Sequence, residues 1–143
     1  MANGPVYLAA YGTLMHGEAN PLPRWVQRLM HRQGPCRIPG RLYAIGPGRR
    51  YPGLVLPADP GDECVLGDLY LIGRREAEAK QALRVLDQYE EFDPLHPRGS
   101  EFVRQRVMLK EPHLAAWVYL FNSNPQAKRF SRITTGNWKR YRP

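Results

Sequence analysis

The stretch Arg74–Glu91, RREAEAKQALRVLDQYEE, decides how this sequence reads. It is dense in strong helix formers and contains neither glycine nor proline, while Pro94 and Pro97 bar a helix from running far past it. At about 100° per residue, Ala79, Ala82, Leu83 and Leu86 share one face, which predicts packing on a sheet. Glu90 follows Leu86 by four and Leu83 by seven, so it continues that apolar stripe. Glu91 follows Asp87 by four and Arg84 by seven, and belongs to the polar side. A carboxylate at the end of a buried stripe is costly without partners or a task, and burial raises its pKa. The alternative is a frayed helix end that lets Glu90 swing into water, and helical geometry alone leaves both readings open.

Upstream, Val6–Tyr11 is an apolar, β-rich run ended by Gly12 and predicts a buried first strand. Pro21-Leu22-Pro23 opens a helical stretch, Arg24–Arg32, in which Trp25, Leu29 and Arg32 with Val26 and Met30 have helical spacing and which Gly34-Pro35 stops. Strands are predicted at Arg37–Ile45, with Gly40 as a bulge or bend, at Gly53–Leu56 and at Val65–Ile72. Gly46-Pro47-Gly48 and Asp59-Pro60-Gly61-Asp62 separate them as loop and turn. Downstream of the long helix, Phe102–Leu109 and Leu114–Phe121 read as a hairpin across Glu111-Pro112-His113. The order β-α-β-β-β-α-β-β predicts an α+β fold on a strongly curved sheet, and 143 residues, 1–143, fit one domain.

Composition narrows the function classes. With 43% hydrophobic and 24% charged residues the chain is globular rather than disordered, and no apolar run nears the roughly 20 residues a membrane span needs. Residues 1–5 lack a basic n-region and Val6–Ala10 is too short for a signal core, so a cytoplasmic location is expected, with no membrane partner. Cys36 and Cys64 form no CxxC, and His16, His31, His96 and His113 have no metal-ligand spacing, so no metal is expected. The net charge of +8 is spread out apart from Arg49-Arg50, Arg74-Arg75 and Lys139-Arg140-Tyr141-Arg142. Without an aromatic RNA-binding strand or a helix-turn-helix pattern it reads as a solvated surface, so no nucleic-acid partner is expected.

A second feature lies where the first strand ends, at Tyr11-Gly12-Thr13-Leu14. A buried strand running into glycine and a small hydroxyl residue leaves backbone N–H groups that can cradle a carboxylate or phosphate, although a plain strand-turn has the same letters.

Tyr11-Gly12-Thr13-Leu14-Met15 resembles the YGSL/YGTL loop of the γ-glutamylcyclotransferase-like family (AIG2-like type), and Leu86-Asp87-Gln88-Tyr89-Glu90 resembles its LDxxE. Gly40-Arg41-Leu42-Tyr43, Tyr51-Pro52-Gly53-Leu54-Val55 and Val65-Leu66-Gly67-Asp68-Leu69-Tyr70 are similar to its GxLY, YPG and VxGxxY elements. Glu101-Phe102-Val103-Arg104, Trp117-Val118-Tyr119 and Gly136-Asn137-Trp138 are similar to EYxR, WVY and GDW, so the ordered set spans nearly the whole chain. Phe102 replaces a usual tyrosine, Asn137 a usual aspartate, Glu91 stands where glycine is frequent, and Phe92–Ser100 is a Pro/His-rich segment suited to a specificity loop.

The resemblance implies a curved mixed sheet or small barrel with two main helices. It also implies a cofactor-independent γ-glutamylcyclotransferase: the α-amine of a γ-glutamyl substrate attacks its own side-chain amide, releasing 5-oxoproline and an amine or amino acid. Glu90 would be the catalytic acid/base, with Tyr11, Gly12, Thr13 and Leu14 binding the substrate. A non-catalytic module that binds a γ-glutamyl-like or other anionic metabolite is the alternative. Tyr119 reads either as a site hydroxyl or as core, and Tyr51 as pocket mouth or as an aromatic packed on proline. Trp25, Trp117 and Trp138 read as core, and Arg104 as the partner of Glu91 or Glu101. Substrate identity and oligomeric state stay open at this level.

Overall fold

In the computed structural model, residues 4–12, 14, 22–46, 51–59, 61–125 and 128–140 are described. Strand β1 (Val6–Ala10) sits at the centre of a five-stranded sheet, antiparallel to β5 (Cys64–Gly73) and parallel to β7 (Ala115–Phe121). The order is β2-β5-β1-β7-β6, with β2 (His31–Pro39) and β6 (Phe102–Met108) at the edges. The centre explains why β1 is apolar at nearly every position: Leu8 and Ala10 enter one core, and Ala9 and Tyr11 the core on the opposite face. The sheet is mixed and curls until its edges meet, where Arg37 N–H donates to the Glu111 carbonyl at 2.7 Å and Lys110 N–H to the Arg37 carbonyl at 2.9 Å.

A second sheet has the order β4-β3-β8, built from β3 (Arg41–Ile45), β4 (Tyr51–Val55) and the two-residue β8 (Ser131–Arg132). It closes tightly on the first because position 53 is glycine. A Cβ there would lie 2.6 Å from Ile45 Cγ1 and 3.2 Å from Phe121 Cβ.

Helix α1 (Arg24–Leu29) and helix α2 (Glu76–Tyr89) cover one face of the large sheet. On α2, Ala79, Ala82 and Leu86 are fully buried, as their spacing predicts. Truncating Leu86 to alanine there would cost about 2–5 kcal/mol.

The expected architecture, a curved mixed sheet with two helices, is observed, with several local corrections. Helix α1 stops at Leu29, because Met30 is extended (φ −96°, ψ 100°) and His31 already pairs with Leu71. Gly34-Pro35 therefore does not end a helix. It lies within edge strand β2, at a bulge where Gly34 has φ +141° and the register slips, and an edge tolerates proline's missing N–H. Gly40 (φ +139°) separates β2 from β3, which join different sheets, so Arg37–Ile45 is two strands rather than one bent one. Trp25 is 44% exposed and is not core. Asp87 falls on the polar side by its spacing to Glu91, yet it is buried, because β6 and β7 approach that flank of α2.

The end of α2 is a Schellman motif. Phe92 N–H reaches the Asp87 carbonyl at 2.8 Å and Glu91 N–H reaches Gln88 at 3.2 Å, which places Glu91 in the left-handed region at φ +55°. That is why glycine suits the position, and a glutamate there is strained. Glu91→Gly is expected to stabilise the fold by about 1 kcal/mol. Thermal melting should then show Tm higher by about 3–5 °C. An unchanged or lower Tm would mean that contacts of the Glu91 side chain outweigh the backbone strain.

Candidate active site

A cavity of about 310 Å³ opens where the C-terminal end of β1, the end of α2 and the start of β4 converge. Its floor is apolar, from Leu8, Ala10 and Phe102, and its rim carries Glu90, Glu91 and Glu101 with Tyr51 and Tyr89. Of the sequence-predicted site residues, Tyr11, Gly12, Leu14 and Glu90 all line it. Thr13 and Met15 lie outside the described residues, as do His16, Arg49-Arg50 and Tyr141-Arg142.

Glu90 is the C-cap of α2, with its N–H on the Leu86 carbonyl at 2.9 Å. It stays at the end of the apolar stripe rather than fraying away. Burial pushes its carboxyl up to about 7, and the negative charge of Glu101 adds to the rise. Glu101 itself accepts a hydrogen bond from the Tyr51 hydroxyl, whose pKa is pushed up to about 12, first by burial and then by that acceptor.

Tyr11 lines the cavity, while its hydroxyl is spent inside the fold. The hydroxyl donates to the Tyr119 carbonyl at 2.5 Å and accepts the Leu54 N–H at 3.1 Å. Leu14 is tied down by the Tyr70 hydroxyl, which donates to its carbonyl at 2.9 Å. The glycine at position 12 is required by packing, since a Cβ would lie 2.6 Å from Pro52 Cγ. The Tyr51-Pro52-Gly53 run thus has three tasks: Tyr51 stands on the rim, Pro52 backs Gly12, and Gly53 lets β4 approach β7. Tyr51 is at the pocket mouth, one of its two open readings.

Tyr119 lines the cavity, but its hydroxyl donates to Asp87 Oδ1 at 2.7 Å. Arg104 pairs with Asp87 rather than with Glu91 or Glu101, through Nε at 2.8 Å and Nη2 at 3.2 Å. Asp87 and Glu101 are the neighbours that sequence reasoning did not assign to the site. Arg104 and Tyr119 are direct cross-strand partners in the β6–β7 register, a relation visible only once the hairpin is aligned.

Among the described residues no group of His, Cys, Asp and Glu side chains is arranged to hold a metal ion, and no helix is long and apolar enough to cross a membrane.

Fold and site together define an α+β protein whose cavity is built around a helix-terminal carboxyl held near neutrality. The chain belongs to the gamma-glutamyl cyclotransferase, AIG2-like family, whose model matches residues 8–140. Solved structures agree on the fold. An AIG2-like protein from Mus musculus is 20% identical, covering 98% of this chain and 97% of its own, with a TM-score of 0.60. Protein ytfP from Escherichia coli is 25% identical over 93% of this chain and 96% of its own, with a TM-score of 0.62. The uncharacterized protein PH0828 from Pyrococcus horikoshii is 20% identical over 94% of this chain and 90% of its own, with a TM-score of 0.61. Comparison with curated proteins returns no match.

Proposed function

We propose that this protein is a γ-glutamylcyclotransferase acting by intramolecular aminolysis, with Glu90 as the single acid/base. The substrate's α-nitrogen bonds to its own δ-carbonyl carbon, the amide C–N bond breaks, and 5-oxoproline leaves with a free amine or amino acid. Starting from the α-ammonium, Glu90 takes one proton to free the nucleophile and passes it to the leaving nitrogen. The second proton, shed as the lactam N–H forms, also ends on the expelled amine, which departs as an ammonium. The observation that carries this reading is the placement of Glu90: fixed at a helix end, facing a cavity, with a carboxyl at about 7. A group near the working pH both accepts and releases a proton readily.

Backbone N–H groups of the segment after β1 would hold the glutamyl α-carboxylate, and Glu90 would face the α-ammonium. Nucleophile and electrophile are already joined, so the remaining task is to freeze a folded-back pose, which can lower a barrier by as much as about 7–11 kcal/mol. No cofactor enters this scheme.

Glu91 and Glu101 line the cavity with Glu90, and this disfavours leaving groups that carry a carboxylate. Incubation with γ-glutamyl amines, γ-glutamyl amino acids and glutathione, with assay of 5-oxoproline, tests the reading. Release of 5-oxoproline is expected, with kcat/KM highest for the amines and the gap narrowing at high salt. Binding of these compounds without 5-oxoproline would assign the fold to a non-catalytic module instead.

A further inference from the structure

We infer that Arg104 is a positioning residue for Glu90, acting through the buried carboxylate of Asp87. The inference deepens the proposed cyclotransferase reading and rests on it for its kinetic part.

Glu90 sits at a helix C-terminus, where intrahelical hydrogen bonds run out and fraying is the ordinary behaviour. Here the last turn is held from the side. Asp87, three residues before Glu90, is only 6% exposed and accepts three hydrogen bonds: two from Arg104 and one from Tyr119. Its backbone carbonyl also takes the Phe92 N–H that closes the helix end. The guanidinium is itself fixed, lying over the Trp117 ring at 4.3 Å from its centroid.

The network continues past Asp87. The Tyr119 carbonyl receives the Tyr11 hydroxyl, and that hydroxyl receives the Leu54 N–H. One chain of hydrogen bonds therefore joins α2, β6, β7, β4 and the segment that follows β1, which are the walls of the cavity. A rigid bidentate pair suits this task better than a point charge, because two parallel bonds fix orientation as well as distance. Arg104 does not line the cavity, so its effect on the reaction passes through Asp87.

The test compares wild type with Arg104→Ala, Arg104→Lys and Tyr119→Phe, measuring kcat and KM separately and amide hydrogen exchange at Glu90 and Phe92. Arg104→Ala should lower kcat about 10²-fold with KM nearly unchanged, since a misplaced acid/base costs rate more than binding. Exchange at Glu90 and Phe92 should speed up about tenfold or more, while β1 amides keep their protection. Added guanidinium ion should restore kcat and protection together, and Arg104→Lys should not match it. Tyr119→Phe keeps the ring and the ion pair, so it tests the same idea if Arg104→Ala misfolds; about a tenfold loss of kcat is expected. The inference is overturned if KM rises while kcat holds, if protection falls equally across β1, or if guanidinium restores neither readout. If wild type releases no 5-oxoproline while Arg104→Ala still loses local protection and guanidinium restores it, the positioning role stands and the proposed reaction falls.

Discussion

Glu90→Gln is expected to lower turnover of a γ-glutamyl substrate by about 10³-fold, because removal of a positioned acid/base typically forfeits 10²–10⁴-fold. The amide keeps the shape of the side chain but neither accepts nor returns the proton that cyclisation moves. The same substitution should raise stability at alkaline pH. Glu90 titrates at about 7 in the folded chain against 4.5 for the ordinary side chain, because burial and Glu101 oppose its charge. A carboxyl whose folded pKa is raised favours the fold while protonated, so its contribution is fully present below about 4.5 and is lost as pH rises through about 7. At pH 8 the charged form therefore costs about 2–3 kcal/mol, which glutamine avoids. Urea titrations of both proteins at pH 4.5 and pH 8 should show similar stability at the lower pH and a gain for Glu90→Gln at the higher. Equal stabilities at pH 8, or more than a tenth of wild-type turnover, would show Glu90 to be an ordinary solvated carboxylate. Loss of activity in Glu91→Gln with retention in Glu90→Gln would move the catalytic role to its neighbour.

The second large effect is on the pH profile. Burial at the end of an apolar stripe predicts a raised limb, and the structure puts it at about 7, chiefly because the carboxyl is buried and further because Glu101 shares the cavity wall. Below that pH, kcat/KM should fall about tenfold for each further pH unit as the base is lost. Glu101→Gln removes the negative neighbour, so the limb should shift toward acid while staying above 4.5, since burial is the larger cause. The groups around Glu90 are Glu91 beside it, Glu101 ahead of β6, Tyr51 on β4, Tyr119 on β7, Tyr11 and Tyr89; the hydroxyl pKa values of Tyr11, Tyr51 and Tyr119 are raised, so those groups stay neutral across the range. Profiles of kcat/KM from pH 4 to 9 for wild type and Glu101→Gln decide the matter. A wild-type limb at or below pH 4.5, or no shift in Glu101→Gln, would refute the electrostatic account of the site.

Much of this protein is legible in its sequence. The 3.6-residue spacing of Ala79, Ala82 and Leu86 predicts both α2 and the face it buries, because helical periodicity is a local property written in one segment. The same spacing puts Glu90 on that face, and the unbroken apolar run of β1 predicts a strand covered on both sides. Local breakers yield to tertiary pairing. Gly34-Pro35 reads as a stop after a helix, yet pairing with β5 outweighs the local signal and absorbs both residues into a bulged edge strand. The split at Gly40 follows from which sheet each half joins, a matter of partners far along the chain.

What the tertiary structure alone decided is the set of partners around Glu90. Asp87 lies on the polar side by helical projection, and only the approach of β6 and β7 buries it and supplies Arg104 and Tyr119 as donors. Glu101 enters the site because the turn before β6 passes the end of α2, and Tyr51 because Gly53 lets β4 close on β7. Periodicity tells which face of an element turns inward, since that follows from bond geometry within a few residues. Which groups wait there, and what charge they carry, is set by packing between segments distant in sequence, so the carboxyl is legible in the chain while its pKa belongs to the fold.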